Sequence, residues 1–220
     1  THNNAADIAH LLQRVRALVN APVLVVDNRS TDATCHLAEQ QGARVLRPLL
    51  AMTPWGSLQT GIRHALAQGY ASVVTIDAEG RYEVEELPTL LATRDQADMT
   101  VAYFAARNSL PRRAAWQWFR WVTGLGLRDF VSGFRLYNRA AMAVAASAEA
   151  TLLDYQDIGT LLLMCRQGLR ITEVALAMHT LKVDRSKIFR SWANAVRYVV
   201  VSSLLSIAHG RQARRLGRQL

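Results

Sequence analysis

The chain has 220 residues, of which 50% are hydrophobic and 20% charged, and its formal net charge at pH 7 is +9. This composition excludes a disordered chain and fits one sizeable folded core, or one domain with an appendage. Residues 1–105 have a net charge of −3 and residues 106–220 of +12, which predicts an anionic partner beside the second half: a nucleic acid, a membrane surface or a phosphorylated substrate.

The first part of the chain alternates helical and strand patterns. Strands separated by helices of this length predict βαβ units, hence a parallel sheet with helices on both faces. The strands that end in Asp27 and Asp77 are expected at the same edge of one sheet, where open α/β sheets bind ligands. The predicted helices are Asp7–Leu18, Ala33–Gln41 and Ser57–Gln68, and the predicted strands are Val23–Val26, Ala43–Leu46 and Ala71–Ile76.

Asp77 and Glu79 follow a β-branched apolar run and stand one residue apart. In an extended segment their carboxylates point the same way, and such oxygen pairs suit a Mg²⁺ or Mn²⁺ ion that also holds substrate phosphates. An ordinary strand end with solvated acids is the alternative. The sequence has neither G-x-G-x-x-G after a strand nor G-x-x-x-x-G-K-[ST], which argues against a Rossmann cofactor site and a P-loop.

Three arginines follow the predicted strand Met99–Tyr103 and suggest an anion site. Phosphate between guanidinium groups is a natural use of Arg107, Arg112 and Arg113, and a solvated basic loop is the alternative, favoured more for the latter two. Nucleic acid is a weaker candidate for the anion, because no basic motif with groove-docking geometry occurs and strand-end acids would repel phosphates without a metal.

Aromatic residues and an apolar helical pattern suggest a lipid-facing surface. Trp116, Trp118, Phe119 and Trp121 cannot all face one core from one helix, so some are expected at a lipid or partner surface, or packed on the C-terminal helix. The segment Ile188–Ile207 has apolar residues at helical spacing and precedes a basic tail. This pattern favours an interfacial amphipathic helix over one that docks on the domain.

The cysteines indicate the cellular compartment of the protein, and the first residues indicate whether the chain is complete. Cys35 and Cys165 are far apart in sequence, which favours reduced thiols in the cytosol over a disulfide. No signal peptide is visible, and no apolar run is long enough to span a bilayer. The chain does not begin with Met, and its first residues are typical of the middle of a protein, so we expect a fragment or a trimmed chain.

Six segments match known motifs, in order and in register over nearly the whole chain. They are Thr1–Asn4 with the end of P-x-Y-N-E, Val25–Asp32 with V-V-D-D-x-S-x-D, Asp77–Glu79 with D-x-D, Ser132–Tyr137 with S-G-F-R-L-[YF], Gly168–Val174 with G-x-R-I-x-E-V, and Ser186–Lys187 with S-K. This set resembles the motifs of the family 2 glycosyltransferases. Within that family the chain is most similar to the dolichyl-phosphate mannose synthase branch, the polyprenyl-phosphate glycosyltransferases, which transfer a sugar from a nucleotide donor to a polyprenyl phosphate.

The resemblance implies an α/β protein with the GT-A fold. Residues 1–187 would form the glycosyltransferase domain, with a nucleotide-binding, mostly parallel sheet flanked by helices and with the first strand of the relatives missing. Residues 188–220 would form an amphipathic membrane-interface helix and a basic tail. The implied activity is that of an inverting, metal-dependent hexosyltransferase of cell-envelope glycan or glycolipid biosynthesis, peripheral to the cytoplasmic face of the inner membrane.

The resemblance also implies site residues. Asp27 would contact the nucleotide base, and an acid that takes a proton from the acceptor would be Asp157 or Asp129. For Asp157, a first-turn helix acid that complements the helix dipole is an equal alternative. The full sets are Asp27, Asn28, Asp77 and Arg81 for the nucleotide sugar, Asp77 and Glu79 for Mg²⁺ or Mn²⁺, and Arg107, Ser132 and Arg135 for the acceptor phosphate.

The chain departs from the family pattern at four positions near this site. Asn28 replaces an Asp, Glu79 an Asp, Arg81 a Gln and Trp55 a Lys. Asn28 and Glu79 still offer oxygen atoms, so catalysis is compatible with both. Two alternatives to transfer onto a polyprenyl phosphate therefore stay open: a saccharide hydroxyl acceptor, which needs a base, and a degenerate domain that binds a nucleotide without catalysis.

Overall fold

The structure is a computed structural model that describes residues 1–78, 83–104, 110–153 and 158–177, together with Val200 and Ser203. Its strands are β1 (Leu24–Val26), β2 (Arg44–Leu46), β3 (Ser72–Thr75), β4 (Met99–Tyr103), β5 (Arg135–Asn138) and β6 (Ile171–Ala175). Its helices are α1 (Ala5–Leu18), α2 (Thr34–Gln40), α3 (Pro54–Ala67), α4 (Leu87–Leu91), α5 (Leu110–Thr123), α6 (Arg139–Ala145), α7 (Ala148–Thr151) and α8 (Ile158–Arg166), with a 3₁₀ turn at Val84–Glu86.

The described strands form two hydrogen-bonded sheets. Strands β1 and β2 make a parallel pair, and the other four follow the order β3-β5-β4-β6. Strand β5 is antiparallel to both of its neighbours, whereas β4 and β6 are parallel. The expectation that the strands ending in Asp27 and Asp77 share one sheet is therefore wrong: on the side away from β2, Val26 O accepts from the N-terminal nitrogen of Thr1 at 2.8 Å.

Helix α1 bridges the two sheets, because its apolar face is divided between two neighbours. Ile8 and Leu12 pack with Val25 of β1, while Leu11 and Val15 pack in the cluster that contains Leu136 of β5. Ala78, directly after Asp77, contacts both clusters. The carboxyl end of β3 therefore lies beside β1, although the two strands are in different sheets.

The main core lies on the other face of the four-stranded sheet. Side chains of β4 and β5 pack there against the buried faces of α3, α5, α6 and α8, in a cluster that includes Met99, Tyr137, Trp55, Trp116, Met142 and Leu161. The sheet thus has helices on both faces, which is the layered α/β arrangement predicted from the sequence.

The predicted elements match the observed ones, with shifted ends. Helix α3 begins at Pro54, three residues before the predicted start, because the Thr53 hydroxyl accepts from Gly56 N at 3.0 Å and Pro54 fits the first helical turn. Gly42 and Gly69 follow α2 and α3 with φ of +73° and +82°, which favours glycine there. The helix predicted within 188–207 lies outside the described residues, apart from Val200 and Ser203, and the boundary at 187 stays a prediction.

Candidate functional site

Asp27 lies at the carboxyl end of β1, and its side chain is buried with a relative exposure of 3%. Its carboxylate accepts from the hydroxyl and the N–H of Ser30. Burial would raise the pKa of Asp27, but these hydrogen bonds outweigh it and hold the pKa below its ordinary value. The site therefore has an ionised acceptor at neutral pH.

The loop after Asp27 is fixed by the first residues of the chain. Asn3 donates its N–H to Ser30 Oγ at 2.8 Å, and its side-chain oxygen accepts from Thr31 N, also at 2.8 Å. Asp32 accepts from Ala5 N at the start of α1 and from Thr34 N at the start of α2, each at 3.0 Å. The hydrogen bond from the Thr34 hydroxyl is the main reason that the pKa of Asp32 is lowered. Asp32 therefore joins the N-termini of α1 and α2.

The structure gives a physical reason for Asn28, one of the departures from the family pattern. Asn28 Nδ2 donates to Met52 O at 2.7 Å, and Asn28 Oδ1 accepts from Met52 N at 2.8 Å. An aspartate could accept from the N–H but would place its second oxygen against the carbonyl. The amide therefore fits this position, and its described hydrogen bonds hold the segment before α3.

Asp77 follows β3 and lies against the loop that contains Gly133. A Cβ atom at Gly133 would be 2.6 Å from Asp77 Oδ1 and 2.7 Å from Oδ2, closer than real Cβ contacts occur. The sequence motif S-G-F-R therefore needs its glycine for a close approach to the first acid of D-x-D. Two motifs that are more than fifty residues apart in sequence meet at this point.

The loop of residues 128–133 also contains Asp129 and Ser132. Asp129 is 2% exposed, and its Oδ1 accepts from Val131 N at 3.0 Å. Ser132 is fully buried, and its hydroxyl accepts from Phe134 N at 3.3 Å. Arg135 is fully buried as well, and its guanidinium donates to Ser132 O at 2.6 Å and to Phe130 O at 2.8 Å. These contacts shape the loop.

Two further residues belong to this site, and the sequence interpretation did not single them out. Glu173 on β6 accepts from the N–H groups of Arg128 and Asp129 at 2.6 and 2.9 Å. Burial, together with the nearby Asp129 carboxylate, raises the pKa of Glu173, although both N–H donors oppose the rise. The exposed Arg128 guanidinium lies 5.6 Å from the centre of the Tyr103 ring, a cation–π distance. Glu173 is the acid of the matched segment G-x-R-I-x-E-V, which was a signal for it, whereas Arg128 stands in no matched motif.

Four predicted site residues, Glu79, Arg81, Arg107 and Asp157, lie outside the described residues, so their roles stay predictions. In the part of the chain that the structure describes, no group of three or more His, Cys, Asp or Glu side chains could hold a metal ion. Asp77 is thus the one predicted metal ligand whose position is known. Cys35 and Cys165 are both free thiols, as predicted.

Helix α5 divides its aromatic residues between the core and the surface. Trp116 and Phe119 are buried, with relative exposures of 2% and 0%, whereas Trp118 and Trp121 are 44% and 68% exposed. The two exposed rings are 5.3 Å apart between centres, and the Trp118 indole donates to Ser203 Oγ at 3.0 Å. This helix therefore presents aromatic surface and also contacts the C-terminal segment. Among the described helices, none is long and apolar enough to cross a membrane.

Known proteins resemble the chain in sequence and in fold. The undecaprenyl-phosphate mannosyltransferase of Micrococcus luteus is 28% identical over 85% of this chain and 84% of its own length. The polyprenol monophosphomannose synthase of Mycolicibacterium smegmatis is 26% identical over 64% of this chain and 60% of its own length. No protein-family model matches the chain.

A crystal structure of glucosyl-3-phosphoglycerate synthase from Mycobacterium tuberculosis, in complex with Mn²⁺, UDP-glucose and phosphoglyceric acid, matches the fold. Its TM-score is 0.66 at 18% identity, over 94% of this chain and 77% of that one. The predicted GT-A fold is therefore confirmed. The predicted likeness to family 2 glycosyltransferases of the polyprenyl-phosphate branch is confirmed by the sequence relatives.

Proposed function

We propose that the chain is a glycosyltransferase that moves a sugar from a nucleotide-sugar donor to a polyprenyl phosphate. The observation that supports this most directly is the contact of Asp77 with Gly133. It joins the strand end expected to hold the donor diphosphate to the loop expected beside the acceptor. A transferase needs its donor and acceptor sites to meet at the anomeric carbon. The two sequence relatives, which by name act on polyprenyl phosphates, support the same acceptor class.

On the donor side, Asp27 would accept hydrogen bonds from the nucleotide base. Its carboxylate is ionised and held in place by Ser30, so it needs little rearrangement when the base binds. Ala78, directly after Asp77, packs in the same cluster as Val25, two residues before Asp27, which supports a donor that contacts both strand ends. A nucleoside diphosphate would lie between Asp27 and Asp77. The amide of Asn28 would act by holding the Met52 segment along this path.

Asp77 would be a ligand of Mg²⁺ or Mn²⁺, with Glu79 as the second protein ligand. The Asp77 carboxylate is half-buried at a strand end and lies close to the backbone of Gly133. Such a carboxylate fits a small ion that takes its other oxygen ligands from phosphates and water. The ion would supply positive charge that stabilises the leaving diphosphate. The Mn²⁺ in the structural neighbour supports this choice of cofactor.

On the acceptor side, we propose a phosphate instead of a saccharide hydroxyl; the burial of Asp129 argues against one of the two predicted bases, and Asp157 lies outside the described residues. A hydroxyl acceptor needs an accessible base, whereas a lipid phosphate is already ionised at neutral pH. Asp129 is 2% exposed and bonded within its own loop, so it is poorly placed to take a proton. The exposed Arg128 and the predicted Arg107 would bind the phosphate, with Ser132 and Arg135 shaping the loop beneath it.

The exposed pair Trp118 and Trp121 supports contact with a membrane surface. Indole rings prefer the membrane interface, and the +12 charge of residues 106–220 would attract anionic lipid. We place the enzyme at the cytoplasmic face of the membrane as a peripheral protein. Direct displacement by the acceptor phosphate would invert the anomeric centre.

The first test is calorimetric titration of UDP and GDP, with and without Mn²⁺. We expect binding that requires Mn²⁺ and that falls about tenfold or more in Asp77→Asn, because the metal loses a charged ligand. Asp95→Asn is the matched control, since Asp95 is an exposed carboxylate that pairs only with the adjacent Arg94 among its described contacts. Absence of binding by the folded protein would refute the proposal.

The same protein is then incubated with undecaprenyl phosphate in detergent and with radiolabelled UDP- or GDP-linked sugars. Label in the organic phase that depends on Mn²⁺ and on Asp77 would identify a lipid-phosphate acceptor. Nucleotide binding without transfer to this lipid, but with transfer to a soluble saccharide, would support the hydroxyl acceptor instead. Binding without transfer to either acceptor would support the degenerate, non-catalytic domain.

A further inference from the structure

Three polar side chains stand in one row across the four-stranded sheet. Arg135 on β5 is paired in register with Thr75 on β3 and with Val101 on β4, and Val101 is paired with Glu173 on β6. Residues that are directly opposite in a sheet share a face. Thr75, Arg135 and Glu173 therefore point to the same side of the sheet, at one level, just before the edge where Asp77 lies.

The loop of residues 128–133 crosses this row, and each of the three side chains holds a different part of its backbone. Glu173 accepts from the N–H groups of Arg128 and Asp129, at 2.6 and 2.9 Å. Arg135 donates to the carbonyls of Phe130 and Ser132 at 2.8 and 2.6 Å, and the Thr75 hydroxyl donates to the carbonyl of Gly133 at 2.9 Å. The loop is thus attached to the sheet from its start to its end.

The attachments leave the loop little freedom. Its backbone bends at residues 128, 130, 131 and 133, and every residue of the loop except Val131 has a backbone group bonded to the row. A shift at the Glu173 end is therefore passed from one attached residue to the next towards Gly133.

Gly133 is the end of the loop that contacts Asp77. Its Cα has no room for a side chain beside the carboxylate. A displaced loop would therefore either clash with the Asp77 carboxylate or lose its packing contact with it. Thr75 is two residues before Asp77 on the same strand end and holds the carbonyl of Gly133 itself. The row therefore fixes the distance between the loop and the predicted metal ligand.

We infer that Thr75 and Glu173 are positioning residues for the nucleotide and metal site, acting through the 128–133 loop on Asp77. This inference rests on the proposed function. It extends that proposal by assigning a role to two residues that would touch neither substrate. Arg135 is the central member of the row, but its complete burial makes its substitution a poor test, because loss of the fold would obscure the result.

Two pairs of variants test the inference. Thr75→Val removes the donor to Gly133 at nearly constant shape, and Thr75→Ser keeps it. Glu173→Leu removes the acceptor for Arg128 and Asp129, and Glu173→Gln keeps an oxygen that can accept from both. The matched control is Thr93→Val: Thr93 has the same 7% exposure as Thr75, and its hydroxyl likewise donates to a backbone carbonyl, that of Leu90, outside the row.

The measurements are calorimetric affinity for UDP and GDP with Mn²⁺, and amide hydrogen exchange over residues 125–134. We expect Thr75→Val and Glu173→Leu to weaken nucleotide binding about tenfold, the effect of removing an outer-shell partner, and to speed exchange in the loop. Thr75→Ser, Glu173→Gln and Thr93→Val are expected to bind nucleotide as the wild type does, whatever their melting temperatures.

Wild-type affinity in Thr75→Val and Glu173→Leu, with faster exchange in the loop, would overturn the inference. A loss in Thr93→Val equal to that in Thr75→Val would also overturn it, since the effect would then come from general loss of packing. A wild-type protein that binds neither nucleotide would instead refute the proposed function. In that case the inference would be tested only by hydrogen exchange at the Arg128 and Asp129 amides. Exchange at the wild-type rate in Glu173→Leu would then refute the role of Glu173 in holding the loop.

Discussion

The two loops at the candidate site are held by partners at different distances along the sequence. In the loop after Asp27, Ser30 donates to the carboxylate three residues before it, and Asn3 binds Ser30 and Thr31, which are 27 and 28 residues away. The loop of residues 128–133 is held by Glu173 and Thr75, which are 44 and 58 residues away from the groups they bind. The first loop therefore has a local part that can be recognised from its letters, whereas the second loop depends on the register of four strands.

The two loops also differ in electrostatics. Hydrogen-bond donors lower the pKa of Asp27 despite its burial, while burial beside Asp129 raises the pKa of Glu173. The first carboxylate is stabilised in its charged form, and the second is penalised in it. The second loop is therefore expected to lose stability as pH rises through the folded-state pKa of Glu173, and the first as pH falls through that of Asp27.

The largest effect is expected from Gly133→Ala. Its Cβ would be 2.6 Å from Asp77 Oδ1, so either the loop or the carboxylate must move. Overpacking of this kind costs about 1–3 kcal/mol of stability, and we expect the Mn²⁺-dependent affinity for UDP or GDP to fall more than in any Thr75 variant. Gly126→Ala is the control, because a Cβ there meets nothing within 4 Å. Equal affinities in the two variants would contradict the contact.

The next effect is expected in the first loop, from Asn28→Asp. The change removes the donor to Met52 O and places a charged oxygen against that carbonyl, which should cost about 1–3 kcal/mol. Urea unfolding measures the loss, with the exposed Asn20→Asp as the matched control. If Asn28→Asp were as stable as the wild type, the amide would not be needed here, and the departure from the family pattern would have another cause.

The smallest effect is a difference in the pH dependence of stability. The lowered pKa of Asp27 stabilises the fold above the ordinary aspartate pKa, and this contribution is lost as pH falls through the folded-state value. The raised pKa of Glu173 has the opposite sign: its contribution is complete below the ordinary glutamate pKa and is lost as pH rises through the folded-state value.

Thermal unfolding between acidic and neutral pH separates these two contributions. We expect Asp27→Asn to flatten the acid side of the stability profile, and Glu173→Gln to remove the decline above the ordinary glutamate pKa. An unchanged profile in Glu173→Gln would mean that this carboxylate is solvated. Asp95→Asn, which alters an exposed acid, is expected to leave both sides of the profile as they are.

Much of the fold was predictable from the sequence, because its helices and strands have clear periodicity. Leu11, Leu12 and Val15 have the spacing of a buried helix face and form one, and the apolar run before Asp77 forms β3. The start of α3 was missed although Thr53 and Pro54 are a recognisable start signal. The division of the strands into two sheets was not predictable, since periodicity identifies strands but not their partners.

The sequence by itself determined the local chemistry of this protein. Its motifs identify the acids at the strand ends, the glycine of S-G-F-R and, through their order along the chain, the glycosyltransferase family that they resemble. Each motif is a run of a few neighbouring residues, and the sequence contains such runs and their order directly.

The tertiary structure alone decided which distant groups meet. It put Gly133 against Asp77, gave the Asn28 amide its partner in Met52, and aligned Thr75, Arg135 and Glu173 in one row. The physical reason is that strand order and register are set by the packing of whole faces, such as α1 between the two sheets, and by long-range hydrogen bonds. A buried polar side chain then takes whatever partner that packing brings within reach.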